Sequence, residues 1–265
     1  MRTKDLSHLG FSGACERNVA CDARWLSAAS SVAKIVFQKA GNTFLCTGQL
    51  MVDTDAATQR LWFLTAAHCM AKRAETRSAV LFWGFQHARC AGKDTPPIVQ
   101  TAGGGKLRFT TGAKGLSNDH TLMELKQAPP DGTTLAGWST EAPEDLVRKT
   151  VQESHHPSGD AKKSSIGKLT GLGGVNFVPE GFRPVEGDTH LIVRWKRKKG
   201  VTEGGSSGSA LWLGRRWPQQ FVIGTLSGER SSCADTKAPD WYGSFARTYE
   251  DFGKFRRLID PANRR

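Results

Sequence analysis

Two short runs carry residue types and spacings suited to acyl transfer. In Gly205-Ser206-Ser207-Gly208-Ser209 a serine sits among glycines in a tight turn, which presents its hydroxyl and leaves room for a substrate carbonyl beside its backbone N–H. Far upstream, Thr65-Ala66-Ala67-His68-Cys69 places an imidazole just after an apolar strand pattern, where His68 could act as the base for Ser207. The same chemistry needs a group that orients the base and donors for the developing oxyanion. Asp119, in Ser117-Asn118-Asp119-His120, precedes the run Thr121 to Leu125 and could hold the other imidazole nitrogen. The backbone N–H groups of Gly205 and Ser207 would face the oxyanion. Each residue taken singly has a blander account: a core histidine, a turn aspartate, a glycine-serine loop. Together, in the order His, Asp, Ser and each beside a strand, they favour nucleophilic hydrolysis.

These side chains need a rigid frame, and the chain supplies one made of strands. Short apolar runs at Val32 to Phe37, Phe44 to Val52, Leu61 to Thr65, Val80 to Trp83, Thr121 to Leu125, Leu191 to Trp195, Ala210 to Leu213 and Phe221 to Leu226 alternate with Gly, Pro, Asp and Asn clusters. That pattern predicts an all-β fold of antiparallel barrel or sandwich type. One helix is expected, over Tyr249 to Ile259, with Phe252, Phe255, Leu258 and Ile259 on one face and Pro261 beyond it. The proline-rich stretch Gln127 to Gly132 is the expected joint between two units, residues 10–130 with His68 and Asp119 and residues 131–265 with Ser207.

With 265 residues the chain can bury one large or two small β cores. No apolar stretch approaches the roughly 20 residues of a membrane-spanning helix. Six cysteines occur without a Cys-x-x-Cys pair, which argues against a zinc ribbon or a dithiol redox site and for a disulfide framework formed in an oxidising compartment. Their spacing leaves 15 pairings open. His155 and His156 are adjacent, so on a strand they point to opposite faces, and no metal or cofactor is expected. A net charge of +12 draws the protein towards anionic surfaces. The densest basic run, Arg194-Trp195-Lys196-Arg197-Lys198-Lys199, comes with no nucleic-acid-binding module, so a solvated face is expected there and no specific nucleic-acid partner.

The histidine and serine boxes resemble those of the chymotrypsin-like serine proteases, and more closely those of the bacterial lysyl endopeptidases. The likeness extends through Gly10-Phe11-Ser12-Gly13-Ala14-Cys15, Asp119-His120-Thr121-Leu122-Met123-Glu124-Leu125, His155-His156-Pro157, Gly200-Val201-Thr202-Glu203-Gly204 and Asp240-Trp241-Tyr242-Gly243, in the same order. The resemblance implies two packed antiparallel β-barrels with the site in the cleft between them, and an acyl-enzyme formed on Ser207. It also implies the disulfides Cys15–Cys233, Cys21–Cys90 and Cys46–Cys69, and a mature start near Gly10, which makes Met1 to Leu9 a pro-segment remnant or an artificial addition. Trypsin-type recognition of basic residues uses an aspartate six residues before the serine, and Val201 stands there. The lysyl endopeptidases supply a carboxylate from the segment that is Asp240 here, which implies cleavage after lysine with arginine second. Two positions depart from the family pattern: Ser227 replaces a histidine, and Glu229 a small residue at the pocket rim beside Gly228. The family's stacking tryptophan falls in a region occupied by Phe177 and Phe182. A monomeric protease, secreted or periplasmic and acting on proteins or peptides, is expected; the alternative is a catalytically idle protein of the same fold that binds anionic surfaces.

Overall fold

The computed structural model describes residues 10–179, 181–214 and 218–263; the proposed remnant Met1 to Leu9 lies outside them. After a short helix α1 (Leu26–Ser30), the chain runs through β1 (Val32–Lys39), β2 (Asn42–Met51) and β3 (Trp62–Ala66). Helix α2 (Arg73–Ser78) then leads into β4 (Val80–Trp83), β5 (Val99–Thr101), β6 (Gly105–Thr110), the two-residue β7 (Gly115–Leu116) and β8 (His120–Leu125). The rest is β9 (Gly137–Trp138), β10 (Thr150–His155), β11 (Lys163–Val178), β12 (Gly181–Trp195), β13 (Ala210–Leu213), β14 (Phe221–Gly228) and β15 (Asp240–Ser244), followed by helices α3 (Phe245–Asp251) and α4 (Gly253–Ile259).

Two sheets result. The first has the order β5-β4-β1-β2-β3-β8-β6, all antiparallel, and begins with a hairpin whose two-residue turn, Ala40-Gly41, has positive φ at both positions (49° and 81°). That turn matches the natural strand twist. The second runs β10-β13-β14-β15-β12-β11-β7, with β9 beside β14. Because β10 also pairs with β11, this sheet closes on itself as a barrel. The stretch Gln127 to Gly132 lies between β8 of the first sheet and β9 of the second.

Inward-facing residues fill each sheet: Ile35, Leu50, Phe63 and Met123 in the first, Leu169, Val193, Leu211 and Tyr242 in the second. A third cluster joins them. Trp62 and Leu64 of β3 meet Trp212 of β13 and Val222 of β14, with Phe245 and Phe255 of the terminal helices completing the contact. Burying an aromatic or aliphatic side chain of this size contributes roughly 1.5–3 kcal/mol, so this cluster fixes the relative placement of the sheets and of what lies between them. The expected single helix over Tyr249 to Ile259 is in fact two. The Ser244 hydroxyl accepts from Arg247 N and starts α3 earlier, and Phe252 breaks the run with φ −119° and ψ 90°. The break brings Phe252 and Phe255 both onto Phe109, with ring centroids 5.4 and 5.2 Å away. Among the described residues no helix is long and apolar enough to cross a membrane.

Candidate active site

His68 follows β3 by two residues, and its neighbour Cys69 is bonded to Cys46 of β2, which holds the imidazole at the strand end. Its backbone N–H donates to Asp119 Oδ1 at 2.7 Å, and its ring Nδ1 lies 2.7 Å from Asp119 Oδ2. Asp119 is fully buried and has a left-handed backbone, φ 59°, a conformation that acidic and amide residues tolerate better than most. The geometry is held locally: Asp119 N donates to Ser117 Oγ at 3.1 Å and Asp119 O accepts from Ala67 N at 3.0 Å. With Nδ1–H directed at the carboxylate, Nε2 is left as the acceptor. Burial pushes the imidazole pKa down, but the Asp119 carboxylate, with Glu229 adding to it, more than offsets this and holds His68 above its usual 6.5.

Ser207 occupies the turn between Val201 and β13. Gly205 and Gly208 both have positive φ, 94° and 82°. A Cβ on Gly208 would lie 2.2 Å from Thr65 Oγ1 and 2.6 Å from Thr47 O, so only glycine allows this turn to seat against β2 and β3. Thr47 fastens it from the other sheet: its N–H donates to Ser207 O at 2.8 Å and its hydroxyl to Gly205 O at 2.9 Å. With both carbonyls turned away, the N–H groups of Gly205 and Ser207 have no acceptor among the described residues, which is what an oxyanion pocket requires. No hydrogen bond joins Ser207 Oγ to His68 Nε2, although the two side chains line one cleft. Such contacts commonly tighten when substrate binds. Ser206, the residue before Ser207, is buried, with its Oγ 2.8 Å from His155 Nδ1.

The cleft has a volume of about 660 Å³ and is walled by His68, Ser207, Phe177, Phe182, Ser227 and Glu229. Gly228 belongs to it too, its face covered by the Phe182 ring, which a Cβ would approach to 2.6 Å. Phe177 stacks on His68 with centroids 5.9 Å apart, so the side chain beside the imidazole is a phenylalanine. Lys39 was not foreseen in the sequence: it lines the same cleft and donates from Nζ to His68 O at 2.6 Å. Nothing in an isolated strand lysine marks it, because only the β1–β2 pairing brings it there.

The two acidic residues differ. Asp240 is fully buried and does not line the cleft. Its Oδ2 accepts from Trp195 Nε1 (2.5 Å), Thr202 Oγ1 (2.8 Å) and Ser231 Oγ (2.6 Å), and its Oδ1 from the N–H groups of Arg230 and Ser231 at 2.8 and 2.9 Å. Asp240 thus fixes the wall from behind. Glu229 is on the cleft side, and its Oε2 is buried with no hydrogen-bond partner among the described residues. Burial, and then the Asp240 charge, raise its pKa to about 7. Val201 is buried in the second barrel's core and does not face the cleft.

The cysteines pair as Cys15–Cys233, Cys21–Cys90 and Cys46–Cys69. His155 and His156 take separate partners: His155 Nε2 is 3.2 Å from Ser165 Oγ, and His156 Nδ1 is 2.9 Å from Asp160 O. Among the described residues no cluster of His, Cys, Asp and Glu is arranged to hold a metal ion.

The family profile of the lysyl endopeptidase C-terminal domain matches residues 9–243. The chain belongs to the lysyl endopeptidase family. It is 30% identical over 261 residues to the lysyl endopeptidase of Pseudomonas aeruginosa, an alignment that covers 93% of this chain. The chain spans about half (52%) of that relative's length. Among solved structures, a thermostable serine protease AL20 from an extremophilic microorganism superposes with a TM-score of 0.54 at 14% identity, covering 88% of this chain and 98% of that one. A variant of human heparin binding protein superposes at 0.58 and 15%, covering 96% and 98%. At these identities the two likenesses establish the chymotrypsin-like fold of this lysyl endopeptidase family member.

Proposed function

We propose that the protein is a secreted serine endopeptidase that cleaves after lysine, with Ser207, His68 and Asp119 as its catalytic residues. The observation that carries this is the double hydrogen bond from His68 to a buried Asp119, beside a cleft shared by His68 and Ser207, with the N–H groups of Gly205 and Ser207 free of any acceptor among the described residues. His68 Nε2 takes the proton from Ser207 Oγ as the oxygen bonds to the scissile carbonyl carbon. Asp119 offsets the charge of the imidazolium, and the N–H groups of Gly205 and Ser207 hold the oxyanion. The tetrahedral adduct collapses, the carbon–nitrogen bond breaks, and His68 returns the proton to the leaving amine. Water, deprotonated by the same imidazole, then releases the acid and restores Ser207.

Preference for lysine rests on the acidic wall. A lysine stem packs along Phe182 and Gly228 while its ammonium meets Glu229 Oε2, with the Asp240 charge behind it. The wider, planar guanidinium of arginine is harder to seat at the same depth. Because Val201 lies in the core, the apolar pocket that a trypsin-type alignment would predict has no support. The three disulfides fit an oxidising compartment. The complete set of groups in the cleft speaks against an idle protein of the same fold.

The test is a set of peptide amides differing only at the residue before the scissile bond. Cleavage after lysine should exceed that after arginine, and both should exceed leucine by far. Ser207→Ala should lower kcat about a millionfold, as loss of such a serine does. Wild-type turnover in that variant overturns the catalytic assignment; efficient cleavage after leucine overturns the lysine preference alone.

A further inference from the structure

Away from the cleft, and sharing no residue with it, lies a second cavity of about 800 Å³ on the outside of the C-terminal barrel. Its floor is apolar: Trp25 and Val151 are buried, and Ile166 and Leu213 are half-buried. Its rim is cationic, with Arg148, Lys149, Lys196 and Lys199, and Arg24 beside them. Among the described residues no acidic side chain lines it. Arg24 is paired with Asp22 at 2.7 Å, whereas the other four have no ion pair among the described residues.

The rim is not a set of loose surface lysines. Lys196 and Lys199 stand at the ends of a turn closed by Lys199 N donating to Lys196 O (3.0 Å), and both are tied to the floor residue Ile166: Lys196 N donates to Ile166 O at 2.9 Å, and Ile166 N to Lys199 O at 3.0 Å. Arg148 and Lys149 are fastened the same way to Leu169 of β11, by Arg148 N to Leu169 O (2.8 Å) and Leu169 N to Lys149 O (3.1 Å). Arg148 has φ 74°, a left-handed backbone that an arginine adopts only at a cost. Two pinned turns therefore converge four like charges on one opening, where their mutual repulsion favours occupation by an anion.

An independent feature inside the cavity points to a ligand. Gln152 is 1% exposed and lines it, yet neither its Nε2 nor its Oε1 has a hydrogen-bond partner among the described residues. A buried amide left unmatched is destabilising by about 1–3 kcal/mol, a cost that a ligand oxygen or N–H at this position would remove. Four cations alone would suit any polyanion; the apolar floor and the amide favour a body that is itself apolar.

We propose that this cavity binds an amphipathic organic anion, with a phosphate or sulfate head held by Lys149, Lys196 and their neighbours, an apolar body over Trp25 and Ile166, and a polar group met by Gln152. The volume lies in the ordinary range for a small-molecule site. Binding is independent of the cleft's chemistry, so the proposal stands or falls apart from the protease assignment.

Isothermal titration with 1-naphthyl phosphate as the probe, beside inorganic phosphate and uncharged 1-naphthol, tests it on the intact chain. The naphthyl phosphate should saturate one site and bind at least about tenfold more tightly than either component, since each lacks one half of the contacts. Short-chain dihexanoyl phosphatidic acid, in a further arm, separates a lipid source from a soluble aryl one. The double variant K149E/K196E, at exposed positions, should lose about tenfold or more in affinity while cleavage of the lysyl peptide amide stays unchanged, which shows that it folds. Gln152→Leu should weaken binding of a hydroxynaphthyl phosphate, whose hydroxyl the amide would meet, without loss of thermal stability. Equal affinity for naphthyl phosphate and inorganic phosphate, or undiminished binding by K149E/K196E, overturns the proposal; so does a heparin fragment that binds while the naphthyl phosphate does not.

Discussion

Asp119 and Asp240 are both completely buried carboxylates, yet their surroundings differ in kind. The Asp119 carboxylate takes its two hydrogen bonds from one partner, the backbone and ring of His68. Asp240 divides its charge over five donors on β12, the Val201–Ser207 segment and the Arg230–Ser231 wall. A carboxylate bound to one imidazole can respond as that ring gains a proton. One bound by five fixed donors holds a wall in place and acts at a distance through its field. The pairing shows why burial and charge by themselves do not identify a working carboxylate; a titratable partner is the further requirement.

The contrast can be broken most sharply at Asp119. Asp119→Asn keeps the shape but favours the wrong imidazole tautomer, so kcat should drop about 10⁴-fold while the melting temperature changes little. A drop of less than tenfold in single-turnover assays would remove Asp119 from the mechanism. Next comes Glu229, the acid that faces the cleft. Glu229→Gln should lower kcat/KM for the lysyl amide about 10- to 100-fold and leave the leucyl amide nearly unaffected, since only the former loses a charge-assisted contact. Equal losses on the two substrates would assign Glu229 to general integrity of the site.

The pH profile gives a smaller, signed effect. His68 must be neutral to act as base, and its pKa is raised, so activity is present at high pH and is lost as pH falls through a value above the usual 6.5. Glu229, at about 7, loses its charge over the same interval, steepening the acid limb for lysyl substrates. Because the Glu229 charge helps to raise His68, Glu229→Gln should also move that limb to lower pH, measurable from kcat/KM between pH 5 and pH 8. An unmoved limb would show that the two groups are not coupled.

Asp240→Asn should have the least effect on chemistry and a clear one on stability. One of the carboxamide's ends would donate into a set of existing donors, costing about 2–4 kcal/mol in denaturant unfolding. The lysine preference should narrow but persist as Glu229 remains. Unchanged lysine cleavage would show that the Asp240 charge has no part in recognition.

What could be read from the sequence follows from how local each signal is. Short apolar runs bounded by turn residues, such as Val32 to Phe37 and Thr121 to Leu125, fall within β1 and β8. The paired boxes of His68 and Ser207 rest on glycine, cysteine and serine spacing, which is also local. The long β11–β12 hairpin was recognised only at Leu191 to Trp195, because its glycines and charged residues obscure the alternation, and the register shifts at Leu169/Gly171 and Gly173/Gly174 break it further. The helix break at Phe252 was hidden because both halves keep an apolar face. Lys39 at the cleft, Phe177 on the imidazole and the five donors around Asp240 arise from contacts between distant segments, so no window of sequence contains them. The basic run before Gly200 was visible as charge; its convergence with Arg148 and Lys149 required the β10–β11 pairing.

The seating of the serine turn on Thr47 and Thr65 has a further consequence. Ser207 belongs to one barrel by sequence, but its carbonyl and the glycine that follows it are fitted to strands of the other. If the two sheets part, the turn loses the bonds that Thr47 gives it before either sheet need unfold, and His68 stays behind with the first sheet. Under the proposed cleavage after lysine this is a safeguard in kinetics: a molecule that has come apart can be cut but cannot cut, so self-digestion should consume damaged copies while intact ones persist.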